Sequence, residues 1–310
     1  MIELRGLAKH FGATRAVDGV SFRVEAGQVF GYIGPNGAGK TTSMRILATL
    51  DVPTAGDGFV DGFSVTTDPD RVRRRLGFMP DDFGVYPYVT VLEYLDFFAR
   101  AYQLRGAERW RAVGRVMEFT GLDVLADKPI DSLSKGMKQR LGLGRALVHD
   151  PAVLVLDEPA AGLDPRARIE LRQMLRALAA RGKTILISSH ILTELAEICD
   201  AVGILERGKL LAVGTVEEIL RRTRPSTESV VEVRVLGPVE PLAAWIAARG
   251  ELSEQAVNSD RVTFVHHGGP EQEAALLRAM VEAGFAVLAF GSRRRSLEDV
   301  FLQVTKGLVQ

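Results

Sequence analysis

Short runs of consecutive apolar residues alternate with segments in which apolar positions recur every three or four residues along the first two thirds of the chain. VFGYI (29–33), VLVL (153–156), TILIS (184–188) and AVGIL (201–205) are too short and too uniformly apolar for one-sided strands. They predict strands buried on both faces, with amphipathic helices between them, the rhythm of an α/β domain with a mainly parallel sheet. The segment TRPSTES (223–229) is polar, contains a proline and lacks periodicity, which predicts a linker. Beyond it the pattern restarts. VVEVRV (230–235) alternates as a strand, PLAAWIAAR (241–249) reads as a helix, a short strand follows near 251–257, and RVTFVHH (261–267) reads as a strand. PEQEAALLRAMVEAG (270–284) predicts a helix and FAVLAF (285–290) a last strand, so the order is β-α-β-β-α-β, a small α+β ferredoxin-like unit over 230–310. SLEDVFLQVTKG (296–307) predicts a closing amphipathic helix opened by Ser296, with Asp299 three residues on as a loose capping box.

Composition narrows the setting. The 310 residues suffice for one medium domain and one small one. Lys and Arg number 39 and Asp and Glu 39, so no global field recruits nucleic acid or an acidic membrane surface, and no nucleic-acid partner is expected. The short basic runs 73–75, 221–222 and 293–295 read as solvated faces. Cys199 is the only cysteine, which excludes an intrachain disulfide and a cysteine-rich zinc site and fits a reducing, cytoplasmic setting. No window reaches the roughly 18 apolar residues of a membrane span, and the N-terminus lacks a signal pattern, so a membrane role is expected only through a partner.

The chemistry begins at GPNGAGKTT (34–42), which follows the strand VFGYI and matches G-x-x-x-x-G-K-[ST]. Gly34, Gly37 and Gly39, with Pro35, Asn36 and Ala38 between them, let the backbone wrap an anion closely, so that amides cradle phosphates at a helix start. Lys40 supplies a point charge, Thr41 offers a hydroxyl to Mg²⁺, and Thr42 continues the turn. The strand VLVL ends in Asp157, placed to hold Mg²⁺, and Glu158, placed to polarise an attacking water. His190 lies just past the strand TILIS, where ligands bind outside carboxyl strand ends. The other histidines, His10, His149, His266 and His267, read as ordinary surface or capping residues. In DSLSKGMKQRLGLGRAL (131–147), Ser134 is a good helix N-cap, Gly136 leaves amides uncovered, and Lys135, Lys138 and Arg140 add positive charge. This helix end calls for an anion that the nearby sequence does not supply.

LSKGM (133–137), shortly before VLVLDEP, resembles the signature motif of ATP-binding cassette (ABC) ATPases, whose consensus is L-S-G-G-Q. The order of phosphate loop, signature, acidic strand, AGLD (161–164) and His190 resembles the complete cassette over residues 1–222, with a helical subdomain at about 82–150. The resemblance implies a phosphate-loop fold, ATP and Mg²⁺ as cofactors, and two cassettes stacked head to tail. Ser134, Lys135, Gly136 and Met137 of one chain then meet the phosphate held by the loop of the other, and Asp164 links the two sites. Phe11, in KHFGATRAVDGVSF, matches the aromatic that stacks on adenine, against the alternative of an ordinary core position. In LGFMPDD (76–82), Asp81 stands where the family carries a glutamine, and two readings stand: a metal ligand, or a side chain turned away beside the loop-capping Asp82. Lys135, in place of a glycine, either adds charge toward the trans phosphate or faces water.

The resemblance further implies an ATP-hydrolysing subunit of an exporter whose membrane permease is a separate chain, lying peripherally on the inner face of the membrane. The C-terminal tail resembles that of ATPase subunits of drug, sodium and polysaccharide-type exporters. The aromatic stretch at 83–109 divides between core and a groove for the permease. A non-transport ABC ATPase of translation or DNA maintenance is the alternative, although only about a hundred residues separate Lys40 from Ser134 and no heptads intervene. A small-molecule kinase on the same loop would have no use for LSKGM.

Overall fold

The computed structural model describes residues 1–82, 84, 88–190, 198–222, 228–249 and 252–293. The helix read at 296–307, Arg294 and Arg295, and part of the aromatic stretch after Phe83 lie outside the described residues. The chain forms two compact units, Met1–Val216 and Glu217–Gln310.

In the first unit the chain opens with β1 (Ile2–Phe11), β2 (Thr14–Val24) and β3 (Val29–Ile33), followed by α1 (Lys40–Leu47). Then come β4 (Ala55–Val60), β5 (Phe63–Ser64), α2 (Pro69–Arg75) and β6 (Leu76–Met79). A helical stretch follows: α3 (Val91–Ala101), α4 (Gly106–Thr120) and α5 (Lys135–Leu147). The unit ends with β7 (Val153–Leu156), α6 (Pro165–Ala180), β8 (Thr184–Ser189), β9 (Ala201–Glu206) and β10 (Lys209–Thr215).

The strands form two sheets. One has the order β10-β9-β3-β8-β7-β6, with β9, β3, β8, β7 and β6 parallel and β10 antiparallel at the edge. Its central strands β3 and β7 are buried at every position, as their uninterrupted apolar runs demand. The other, β2-β1-β4-β5, is antiparallel. One core joins the two sheets: Phe22 of β2 stacks on Phe30 of β3 at 4.9 Å, among Leu4, Met44, Val155 and Leu186. The helices close on the parallel sheet. Gly77 of β6 permits this, because a Cβ there would collide with the Ala146 carbonyl of α5. Thr90 opens α3 with a full capping box to Glu93.

In the second unit, α7 (Val216–Arg222) leads to β11 (Glu228–Val235), α8 (Glu240–Ala247), β12 (Leu252–Val257), β13 (Arg261–His267), α9 (Pro270–Glu282) and β14 (Val287–Arg293). The sheet order β12-β13-β11-β14, antiparallel throughout, interleaves two β-α-β units. Three boundaries differ from the sequence reading. The units divide at Val216, six residues before 222. The strand expected from 230 begins at Glu228 inside the expected linker, because Glu228 and Ser229 extend the register against His267 and His266. FAVLAF is not strand from its start, since Phe285 NH bonds back to Met280 O and closes the end of α9. Among the described residues no helix is long and apolar enough to cross a membrane.

Candidate functional site

The loop from Gly34 to Gly39 leaves the carboxyl end of β3 and turns into α1. Gly37 (φ 80°) and Gly39 (φ 104°) take left-handed backbone, and a Cβ at Gly39 would collide with the Ala16 carbonyl, so both geometry and space require glycine there. Pro35, Asn36 and Gly37 are exposed, whereas Gly34, Ala38 and Gly39 are buried at the base. Lys40 is buried, and its Nζ donates to Gly34 O at 2.6 Å and Pro35 O at 3.3 Å. Thr41 is exposed and Thr42 half-buried at the start of the helix.

Asp157 and Glu158 leave the end of β7, next to β3's other neighbour β8. Asp157 is buried, and its amide continues the sheet by donating to Met79 O at 2.8 Å. One hydroxyl links the two acidic residues: Ser188 Oγ donates to the Asp157 carboxylate at Oδ1 (2.6 Å) and accepts from the Glu158 backbone amide at 2.8 Å. Glu158 itself has φ 48°, a strained conformation for a residue with a side chain. That turn aims its carboxylate at Lys40 Nζ (3.4 Å from Oε1) and at His190 Nδ1 (2.8 Å from Oε2). Lys40, Glu158 and His190 therefore form one continuous chain of charge and hydrogen bonds, with His190 at its open end, its side chain 45% exposed. The sequence reading passed over Ser188. A serine after TILI is a visible signal, but only the β7–β8 register places it level with Asp157.

Asp81 follows β6, the neighbour of β7. Its carboxyl pKa is raised, first by burial and then by the negative charges of Asp157 and Glu158, with Lys135 opposing. It thus lies within electrostatic reach of the acidic strand end. Among the described residues, Asp157 Oδ2 is buried without a hydrogen-bond partner. Those two carboxylates and the Thr41 hydroxyl are hard oxygen donors suited to Mg²⁺.

The signature residues form a second cluster. Ser134 caps α5, its Oγ accepting from Met137 N at 3.3 Å, and Asp164 caps α6, its Oδ1 accepting from Ala167 N at 2.9 Å. A Cβ at Gly136 would meet Ala167 and Leu163, and Lys135 Nζ lies over Gly162, where a Cβ would collide with it. Arg140 pairs with Glu170, which also meets Arg166. The α5 cap and the AGLD segment are therefore one packed surface. Among the described residues, no hydrogen bond or ion pair joins Ser134 or Gly136 to Lys40. Phe11 is 52% exposed at the end of β1, with Lys9 Nζ 5.0 Å from its ring centroid, so it is not a core residue.

The aromatic stretch divides in two. Tyr94 and Leu95 are core, while Phe97 is exposed. Phe98 and Tyr102 line a cleft of about 600 Å³ with Leu50, Leu76, Phe78 and Ala146. Two histidines correct the surface reading: His149 is stacked on Tyr102 at 3.6 Å, and His266 is 6% exposed, because each sits where a strand end meets a helix.

Residues 17–161 match the sequence profile described as ABC transporter. The chain is 37% identical over 306 residues to Nod factor export ATP-binding protein I of Ralstonia nicotianae, covering 98% of this chain and 94% of that protein. It is 39% identical over 219 residues to a probable multidrug ABC transporter ATP-binding protein of Escherichia coli, covering 71% of this chain and 38% of the relative. Among solved structures it resembles a dimeric ATP-binding cassette in a post-hydrolysis state bound to ADP and Pi, with TM-score 0.63, 26% identity, and coverage of 69% of this chain and 98% of that one.

Proposed function

The chain belongs to the ABC transporter family, and on that premise we propose that it is the ATP-hydrolysing subunit of an exporter, working as a homodimer on a separate membrane permease. The observation that carries the reading is the Lys40–Glu158–His190 chain, set at the carboxyl ends of adjacent parallel strands and aligned by Ser188.

The loop amides from Gly37 to Thr42 and the Lys40 ammonium bind the triphosphate, and the exposed Phe11 ring stacks on the base. Thr41, Asp157 and Asp81 would hold Mg²⁺, which supplies charge neutralisation at the phosphates when bound. Glu158 orients a water and accepts its proton as the water oxygen attacks the γ-phosphorus and the bond to the ADP oxygen breaks. His190, hydrogen-bonded to Glu158, positions that carboxylate and reaches the transferring group. The α5 cap, with Ser134, Lys135, Gly136 and Met137 presented beside Asp164, closes over the nucleotide of the second chain. ATP then joins two surfaces through its own charge, and hydrolysis releases them.

The cleft walled by Leu50, Phe78, Phe98 and Tyr102, edged by Arg45, Arg73 and Arg145, suits a short helical segment of the permease. Docking there would hold the subunit peripherally at the inner face of the membrane. The similarity to a Nod factor export protein along nearly the whole chain, C-terminal unit included, supports export.

Glu158→Gln tests the reading. The amide keeps the shape but accepts no proton, so hydrolysis should fall about 10²–10⁴-fold while ATP affinity is kept. Size-exclusion chromatography with ATP and Mg²⁺ should then show a trapped dimer. A strictly monomeric E158Q chain at saturating ATP would sink the sandwich mechanism.

A further inference from the structure

The C-terminal unit contains a polar site that ATP hydrolysis does not use. Along β13, Val262, Phe264 and His266 alternate onto the face covered by α8 and α9, where Val262 and Phe264 pack with Leu242, Ile246, Leu276 and Met280. The third place of this core stripe holds an imidazole. His266 is 6% exposed and its Nδ1 is buried with no hydrogen-bond partner among the described residues. A buried polar atom left unpaired is destabilising, so this position asks for a partner beyond the described side chains.

His266 opens into a cleft of about 670 Å³ between the end of α8, β12, the end of β13 and α9. The polar groups on its wall are able to donate. Arg249 stacks on Trp245 at 3.6 Å, and no carboxylate pairs with it among the described residues. Gln272 Oε1 is taken by Gly269 N at 2.7 Å, which leaves its NH₂ group to donate. His267 stands beside them, its Nε2 on Ser253 Oγ at 2.8 Å. No carboxylate lines the cleft among the described residues, and Glu273, in the first turn of α9, is tied to Ser229. The opposite wall is apolar: Leu252 and Leu276, with Ala275 and Ala279 one turn apart on α9 leaving room beside them.

We propose that this cleft binds a small organic carboxylate, its charged end on Arg249 and His266 and its hydrocarbon part against Ala275, Ala279 and Leu276. A carboxylate supplies acceptors to the Arg249 guanidinium and to a buried imidazole together, while the alanine-lined wall selects for an apolar body. A bare inorganic anion would leave that wall in water. The site is confined to the C-terminal unit and stands or falls apart from the ATPase reading.

The test is titration of the full chain, ¹⁵N-labelled at histidine, with octanoate and benzoate, and with inorganic phosphate as the control. The His266 and His267 resonances are assigned from His266→Phe and His267→Phe chains. Octanoate or benzoate should move the His266 resonances saturably below about 10 mM. Arg249→Gln should weaken that binding at least about tenfold, and Ala279→Phe, which fills the apolar wall, should abolish it. Both variants should keep the wild-type rate of ATP hydrolysis without probe. No saturable change, or equal binding to Arg249→Gln, would overturn the site. An equal response to inorganic phosphate would overturn the organic ligand.

Discussion

Lys40, Asp157, Glu158 and His190 are readable because their chemistry is tied to short motifs at strand ends. What the motifs do not contain is the part that aims them. Ser188 is an ordinary serine in a buried strand until the parallel register sets Leu156 opposite Ile187 and brings its hydroxyl between the Asp157 carboxylate and the Glu158 amide. Glu158 is held in left-handed backbone by that amide contact. Ser188→Ala should therefore lower kcat about ten- to a hundredfold while the Kd for ATP changes little, because Lys40 and the loop amides are untouched. Its stability loss should be about 1–2 kcal/mol. Steady-state kinetics beside nucleotide titration separates the two quantities, and an ATP affinity falling in step with kcat would show that Ser188 merely supports the fold. Lys135 is exposed, and its ammonium lies close over Gly162 of its own chain.

At the scale of elements, the buried strands Val29–Ile33 and Val153–Leu156 and the cap at Ser134 were legible because continuous apolar runs and a capping serine are local signals. Junctions between elements were not. His149, just past α5, stacks on Tyr102 beyond α3 and reaches Leu76 O at the start of β6 at 3.2 Å, so one ring joins the helical stretch to the parallel sheet. Burial lowers its pKa from an ordinary 6.5 to about 4, and the neutral ring donates from Nε2. The sign follows: below pH 6.5 the unfolded chain takes a proton that the folded chain refuses until about pH 4, so stability present at neutral pH is lost as pH falls through that window. Replacing His149 by Phe keeps the stack and removes the titration. The variant should lose about 2 kcal/mol less than wild type between pH 7.5 and 4.5 in urea unfolding. Equal losses would mean that the ring is protonated without penalty in the folded state.

At the scale of the whole molecule, the proposed sandwich has the two clusters of site residues complete one another across two copies of the chain. Lys40, Glu158 and His190 form one half, and the caps at Ser134 and Asp164 present the other on a packed surface of the same chain. Mixing two inactive chains separates shared from separate sites. Lys40→Ala destroys the loop half, and Ser134→Arg blocks the signature half. Each alone should be inactive, but an equimolar mixture should regain about a quarter of wild-type hydrolysis, since half the dimers are mixed and each mixed dimer holds one intact site. No recovery in a mixture that demonstrably exchanges subunits would overturn head-to-tail sharing.

By itself the sequence determined the α/β cassette, the phosphate loop, the acidic strand end, the signature helix and the β-α-β-β-α-β order of the tail. Each rests on periodicity or on residues within a few positions of one another, which local backbone physics reads directly. Only the tertiary structure decided that Ser188 links Asp157 and Glu158, that Lys135 lies against Gly162, that His149 is half-buried in a stack on Tyr102, and that His266 is buried. Those contacts join residues far apart in the chain, and whether a polar side chain is paired, buried or open depends on which neighbour packing brings to it.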